Sequence, residues 1–373
     1  MPSPGVRIDP SVRLLLELLR DPPAALGASA REWDGVVRVA RATRLLAPLG
    51  ARLAACGVLE RIPPPVRAHF DSDQALVAHR AQMARRLLGE LGRLLGGRGF
   101  PVVVLKGGAY LLQDLACARG RLFSDVDLLV PRAHLDAAEH LLRDAGWRFG
   151  EIDAYDERYY REWSHELPPL EHAGHPLQLD LHHSILPPVG RVRVDDEAIF
   201  AASMPVDGTP FRVLLPADQV LHASAHVFQD SDLAGMLRDL FDVDALLREH
   251  GARAGFWEEL IVRARQHGLG RALWYGLDFG TALFATPVPR EVLHSLAFAA
   301  PGPVVQATMS RLGRLALLPE SPDRLPSFAK RGARQLLFLR YLLLRFPLRL
   351  LVLHAAAKGA RRLGRNGRMQ ELN

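Results

Sequence analysis

The spacing of apolar residues changes twice along this chain, and these changes limit the folds that it can adopt. Before Phe100 the apolar positions recur at helical spacing, and the last helical pattern, over 71–95, stops at Gly96-Gly97. From Phe100 to residue 215 short β-branched runs alternate with helical patterns, and helical spacing returns at Pro216. This order predicts an α/β (α+β) protein with a mixed sheet between N-terminal and C-terminal helical regions.

The same patterns predict individual elements and four regions. Extended segments are expected at 101–105, 126–130, 167–171 and 176–182, with a small hairpin over 204–214. Helices are expected at 132–145, 217–229, 233–249, 256–267 and 271–284, and the helix over 71–95 has Asp71 or Ser72 as its N-cap. Residues 62–65 (IPPP) interrupt the first helical region. The predicted regions are a helical 1–75, an α/β domain 76–215, a helical domain 216–310 and a basic tail 311–373.

The charge of the chain is concentrated at its C-terminal end. The net charge is +6, but residues 324–373 carry 12 Lys or Arg against one acid, which leaves 35 bases and 40 acids in the rest. The sequence pI of 9.7 therefore reflects the tail and does not predict nucleic-acid binding by the body of the chain. Two cysteines exclude a disulfide scaffold, and the N-terminal sequence does not resemble a secretory signal. A cytoplasmic protein is expected.

The tail is rich in leucine but carries arginines that disfavour a membrane-spanning helix. Each arginine at the centre of a span costs about 2.5–3.5 kcal/mol. On a helix, five basic residues fall within an arc of about 100°, namely Lys330, Arg331, Arg334, Arg345 and Arg349. This pattern favours binding to an anionic membrane surface, peripherally at the inner face. The alternative is that the leucine face packs on the body while the arginines meet its acidic residues or a nucleic acid.

Three aspartates have the spacing of a divalent-cation site. Asp125 and Asp127 lie two residues apart on a predicted strand, so both side chains project from one face while the apolar residues between them face a core. Asp180 lies on a second predicted strand with the same alternation. If the two strands pair, the three carboxylates converge and could hold Mg²⁺ or Mn²⁺ for phosphoryl chemistry. Glu171 and Asp153 are rival candidates for the role of Asp180.

Phosphate-binding features precede these aspartates. Lys106, Gly107 and Gly108 lie between a predicted strand and a predicted helix, where glycines allow the backbone to approach a phosphate closely. Arg121 lies four residues before Asp125 and could contact a phosphate or the metal site. The sequence therefore predicts a phosphate-binding site formed by these four residues beside the metal site.

The segments LKGGAYLL (105–112) and RLFSDVDLLV (121–130) carry a family resemblance. They resemble the DNA polymerase β-like nucleotidyltransferase superfamily and, more closely, a poorly characterised bacterial nucleotidyltransferase family with an LKG…R…DIDLLV signature. The resemblance implies a catalytic domain that transfers nucleotides from an NTP such as ATP. Asp125 and Asp127 would bind Mg²⁺ in a two-metal mechanism, and Asp180 would match the third acid. The resemblance also makes the phosphate site a nucleotide-binding site, formed by Lys106, Gly107, Gly108 and Arg121. Gly108 departs from the pattern, since many superfamily members have serine there.

Several interpretations remain open at this level. The acceptor could be a sugar, another small molecule, a peptide, a protein or RNA. The chain could also be an inactive nucleotide-binding scaffold or a toxin-like enzyme that modifies RNA. Two histidine pairs are alternative metal ligands, but packing and hydrogen bonding are the favoured roles for both; these are His182 with His183 and His222 with His226. Arg238 and Asp242 have the spacing of an internal ion pair.

Overall fold

One mixed sheet flanked by helices forms the centre of the computed structural model, which describes residues 8–320, 322 and 325–352. Within these residues the α-helices are α1 (Pro10–Arg20), α2 (Ala30–Ala42), α3 (Leu46–Ala55), α4 (Pro64–Leu95), α5 (Lys106–Leu112), α6 (Leu135–Asp144), α7 (Ala154–Glu162), α8 (Asp196–Ala202), α9 (Pro216–Phe228), α10 (Leu237–His250), α11 (Phe256–Gln266), α12 (Gly270–Phe284), α13 (Arg290–Ser295), α14 (Pro303–Leu317) and α15 (Phe328–Arg345). The strands are β1 (Val103–Val104), β2 (Asp125–Leu129), β3 (Arg148–Phe149), β4 (Leu170–His172), β5 (His175–His182), β6 (Met204–Pro205) and β7 (Arg212–Val213).

The sheet has the strand order β3-β4-β5-β2-β1-β7-β6. Strand β2 lies at its centre, antiparallel to β1 and parallel to β5. Strand β7 is parallel to β1, and the outer strands pair in antiparallel fashion. The predicted α/β class, with a mixed sheet between helical N-terminal and C-terminal regions, is confirmed.

The two central strands have one apolar face and one polar face. Val126 and Leu128 of β2 and Leu179 and Leu181 of β5 are fully buried on one side. Helix α4 contacts both strands there, and its buried residues recur at helical spacing from Ala84 to Leu95. Because side chains alternate along a strand, the aspartates between these apolar residues project from the opposite face.

Helix α4 begins earlier than the sequence pattern suggests. It starts at Pro64 and not at Asp71 or Ser72, so residues 62–65 lead directly into a 32-residue helix. Proline is tolerated at the first helical positions because their N–H groups have no partner within the helix. The helix is continuous across residues 75 and 76, where a domain boundary is predicted.

The C-terminal helices pack on the body of the protein. Helix α9 is buried on almost all sides and contacts α10, α11 and α12. On α15, Lys330 and Arg345 of the predicted basic arc are buried, and Arg345 forms an ion pair with Asp230. Leu336 and Leu339 are exposed on its outer side. The arc therefore does not face solvent as one surface, and membrane binding by the tail stays a prediction.

No helix in the described part of the chain is both long enough and apolar enough to cross a bilayer. The leucine-rich tail continues beyond residue 352, so its end lies outside the described residues.

Candidate active site

The register of β2 and β5 brings the acidic residues together on the polar face of the sheet. Asp127 lies directly opposite Asp180, and Asp125 lies opposite Gln178. Facing residues of paired strands point to the same side of a sheet, so Asp125, Asp127 and Asp180 share one face. The structure thus brings together the three carboxylates that the sequence selects.

Asp127 is the most strongly bound of these acids. Its Oδ1 accepts a hydrogen bond from Lys106 Nζ at 2.7 Å and another from His182 Nε2 at 3.0 Å. Burial would raise the pKa of Asp127, but the charge of Lys106 and the hydrogen bond from His182 outweigh it and lower that pKa. Asp127 is therefore an anion held between an ammonium group and an imidazole.

Asp180 has the opposite electrostatic environment. Burial and the neighbouring Asp127 carboxylate raise the pKa of Asp180 to about 7. Its Oδ1 is buried without a hydrogen-bond partner among the described residues. Ligand atoms of Asp127, Asp180 and His182 all lie within 4.8 Å of one another. A buried carboxylate oxygen without a donor, next to two further ligand atoms, fits a bound cation.

Glu166 is a site residue that the sequence analysis missed. Its Oε2 lies 3.3 Å from His182 Nδ1, so His182 bridges Glu166 and Asp127. An isolated β-bridge between Glu166 and His182 fixes this position. His165, Glu166 and His182 form a second group with ligand atoms within 4.8 Å. In the sequence, the run Ser164-His165-Glu166 does not alternate between polar and apolar residues. It therefore does not predict which way these side chains point.

Asp125 lies at the outer edge of the site. It is partly exposed, and burial together with the Asp127 carboxylate raises its pKa. Among the described residues it belongs to neither group of three whose ligand atoms lie within 4.8 Å. Asp125 is thus next to the cluster and available to a ligand that enters from solvent.

The glycine pair lies inside helix α5 and not in a turn before it. Lys106 is the first helical residue and has a φ of 43°, in the left-handed region that favours glycine. A Cβ on Gly107 would lie 2.5 Å from Arg121 Nε, and one on Gly108 would lie 2.8 Å from Val104 Cγ1. Close packing therefore requires both glycines, and it explains why position 108 does not carry serine.

The Arg121 side chain is paired with other residues of the protein. It forms an ion pair with Asp242 of α10, and Arg238 of the same helix pairs with that carboxylate too. The predicted internal pair of Arg238 and Asp242 is confirmed, with Arg121 as its third member. Tyr110 lies beside the Arg121 guanidinium, 5.8 Å from it to the ring centroid. Arg121 therefore connects the sheet to α10 directly behind Gly107.

The rival acids and the histidine pair of α9 lie in other environments. Glu171 accepts a hydrogen bond from Gln178, and the Asp153 side chain caps α7. Burial and the charge of Lys106 lower the pKa values of His222 and His226. Among the described residues neither histidine belongs to a group that could hold a metal. The environments of His222 and His226 are consistent with the packing of α9 over the polar face of the sheet.

Carboxylates, a lysine and an imidazole gathered on one face of a mixed sheet define an α/β protein with an enzyme-like site. Residues 29–285 match the family described as uncharacterised nucleotidyltransferase. This match covers more than half of the chain, and the protein therefore belongs to that family. Its membership supports a transferase that moves nucleotidyl groups. No curated protein and no solved structure matches the chain.

Proposed function

We propose that this protein is a Mg²⁺-dependent nucleotidyltransferase that moves a nucleoside monophosphate from an NTP to a hydroxyl or phosphate of an acceptor. The observation that carries the proposal is the convergence of Asp127, Asp180 and His182 beside Lys106. The family supplies the reaction class, and the site supplies the groups that such a reaction needs.

In the proposed reaction an acceptor oxygen forms a bond to the α-phosphorus of the NTP. The bond between that phosphorus and the bridging oxygen to the β-phosphate breaks, and pyrophosphate leaves. Lys106 would bind the phosphates as they approach Gly107 and Gly108, and Arg121 would hold this segment through its pairing with Asp242. Asp180 would orient the acceptor hydroxyl or accept its proton.

The donor set fits Mg²⁺ or Mn²⁺. Asp127 and Asp180 would hold the cation through carboxylate oxygens, with Asp125 at the edge of the site as a third ligand, and the imidazole of His182 favours Mn²⁺ as an additional possibility. When bound, such a cation neutralises charge on the transferring phosphate. Until then, Lys106 and His182 keep Asp127 ionised and oriented.

The test is transfer of label from α-³²P-labelled NTPs to candidate acceptors, together with Mn²⁺-dependent NTP binding. The double variant Asp125→Ala with Asp127→Ala is expected to lose both signals. Asp144→Ala is a matched control, because Asp144 is exposed at the end of α6 and should leave both unchanged.

Each outcome of this test has a defined meaning. Activity in the wild type that persists in the double variant would reject the proposed site. NTP binding with no transfer to sugars, peptides or RNA would favour the inactive scaffold. Growth arrest on expression, relieved by Asp125→Ala, would identify a toxin-like enzyme.

A further inference from the structure

A cavity opens at the start of β2, near the edge of the site at Asp125. Its volume is about 700 Å³, within the range of small-molecule pockets. Ser124, which directly precedes Asp125, and Gln178, which faces Asp125 across β2 and β5, both line it. A molecule bound in this cavity would therefore lie at the start of β2, beside the residue that precedes Asp125, although none of the three aspartates lines the cavity.

The cavity is basic. Arg44, Arg80 and Arg148 line it, against Glu171 as its acidic residue. None of the three arginines forms an ion pair within the described part of the chain, although Arg148 Nη1 donates to the main-chain oxygens of Arg143 and Trp147. The Glu171 carboxylate accepts a hydrogen bond from Gln178 Nε2 at 2.8 Å. The guanidinium groups of Arg44 and Arg80 are thus available to an anion.

Arg44 occupies a position where glycine is usual. Its φ is 56°, and the N–H groups of Arg44 and Leu45 donate to the carbonyls of Arg41 and Ala40 at the end of α2. This is the Schellman arrangement, in which the residue in the left-handed conformation is most often glycine. An arginine at a strained position on the cavity wall indicates a use for its side chain beyond ending the helix.

His172 adds an imidazole donor to the same wall. Its Nδ1 accepts a hydrogen bond from the N–H of Gly174 at 3.0 Å, which leaves Nε2 as the ring donor. Leu76, Leu122 and Leu177 supply apolar surface on other sides of the cavity. The lining can therefore contact both an anionic group and a carbon skeleton.

Another arginine-rich cavity of the protein provides a comparison for the arginines of this one. It has a volume of about 390 Å³ and includes Arg20, Arg52 and Arg248. These guanidinium groups bind main-chain carbonyls or the buried Asp244. They hold helices together, whereas Arg44 and Arg80 form no side-chain hydrogen bond or ion pair within the described part of the chain.

We propose that the cavity beside Asp125 binds the phosphate group of a phosphorylated small-molecule acceptor. Its role as an acceptor site rests on the proposed function, whereas phosphate binding itself does not. Arg44 and Arg80 hold the phosphate, and the apolar wall holds the rest of the molecule. An acceptor held there would reach the proposed active site past Ser124 at the start of β2.

The experiment measures binding of inorganic phosphate to the full chain in EDTA, by calorimetry or by ³¹P line broadening. Arg44→Gly and Arg80→Gln are each expected to weaken binding at least fivefold. Arg86→Gln, an exposed arginine on the same helix as Arg80, is the matched control and should bind as the wild type does. Arg44→Gly should melt at the same temperature as the wild type or higher, because glycine suits its backbone, so lost binding cannot be attributed to unfolding.

Wild-type affinity in both Arg44→Gly and Arg80→Gln would overturn the proposal. Loss of phosphate binding in Lys106→Met, with those two variants unaffected, would also overturn it by placing the ion at the catalytic lysine. NTP binding with Mn²⁺ should persist in Arg44→Gly. If the chain binds phosphate as expected but never transfers nucleotides, the cavity assignment stands and the proposed function fails.

Discussion

Asp127 and Asp180 face each other across two parallel strands, yet their pKa values move in opposite directions. Lys106 and His182 both contact Asp127, whereas Oδ1 of Asp180 is buried without a donor in the described structure. One carboxylate is thus already neutralised by the protein, and the other is protonated up to about pH 7. A cation that binds between the two carboxylates would therefore displace the proton of Asp180.

The raised pKa of Asp180 predicts a pH-dependent effect of Asp180→Asn on stability. Between the ordinary aspartate pKa and about 7, the folded protein keeps a proton that the unfolded chain releases, so stability falls as pH rises through this window. Asparagine is neutral at every pH and avoids this loss. In EDTA, Asp180→Asn should melt about 5 °C above the wild type at pH 8 and close to it at pH 4. An equal difference in melting temperature at both pH values would contradict the assignment.

Lys106→Met should destabilise the protein chiefly when no cation is present. Lys106 is the partner of the buried Asp127, and removing one member of a buried pair costs about 3 kcal/mol in the free energy of unfolding. Mn²⁺ should restore much of this loss, because it can replace the ammonium group beside Asp127. The measurement is thermal unfolding with and without Mn²⁺.

Lys330→Met is the control for that experiment. Lys330 is also buried and donates to the carbonyl of Leu318, far from the acidic cluster in the sequence. Its loss should lower the melting temperature equally with and without Mn²⁺. Equal rescue of both variants by Mn²⁺ would show that the cation does not act at Asp127.

The alternating pattern of the sequence was sufficient to predict the strands that carry the three aspartates. Val126 and Leu128 in one strand, and Leu179 and Leu181 in the other, mark the buried side, so the polar side follows from geometry. The sequence alone could not show that these two strands pair, because their register depends on contacts between residues more than 50 positions apart.

Other parts of the site could not be read from local patterns. Glu166 lies in an irregular segment and reaches the site through a single bridge to His182. The partner of Arg121 is Asp242, whose helix follows more than a hundred residues later. The start of α4 was misplaced because proline, usually a helix breaker, is compatible with the first turn.

Gly107→Ala should disturb Arg121 without touching the acidic cluster directly. The added methyl group would lie 2.5 Å from Arg121 Nε and would force the guanidinium away from Asp242. We expect a loss of about 2 kcal/mol in the free energy of unfolding. Gly89→Ala is the matched control, since its methyl group would meet Arg93 Nη1 at 3.9 Å and should stabilise α4 slightly. Similar melting temperatures for the two variants would argue against the required close approach at Gly107.

Arg345→Met should show that α15 is part of the folded body, although it lies beyond the residues that match the family. The Arg345 guanidinium pairs with Asp230, whose Oδ2 lies 3.7 Å from His165 Nε2, so α15 contacts the wall of the active site. Without this partner Asp230 is a buried, unpaired carboxylate, which should cost about 3 kcal/mol in the free energy of unfolding. Adding Asp230→Asn should recover part of that loss, whereas the exposed Arg331→Met should cost little. Denaturant unfolding of the single and double variants measures the coupling, and additive effects would mean that the pair does not hold α15 in place.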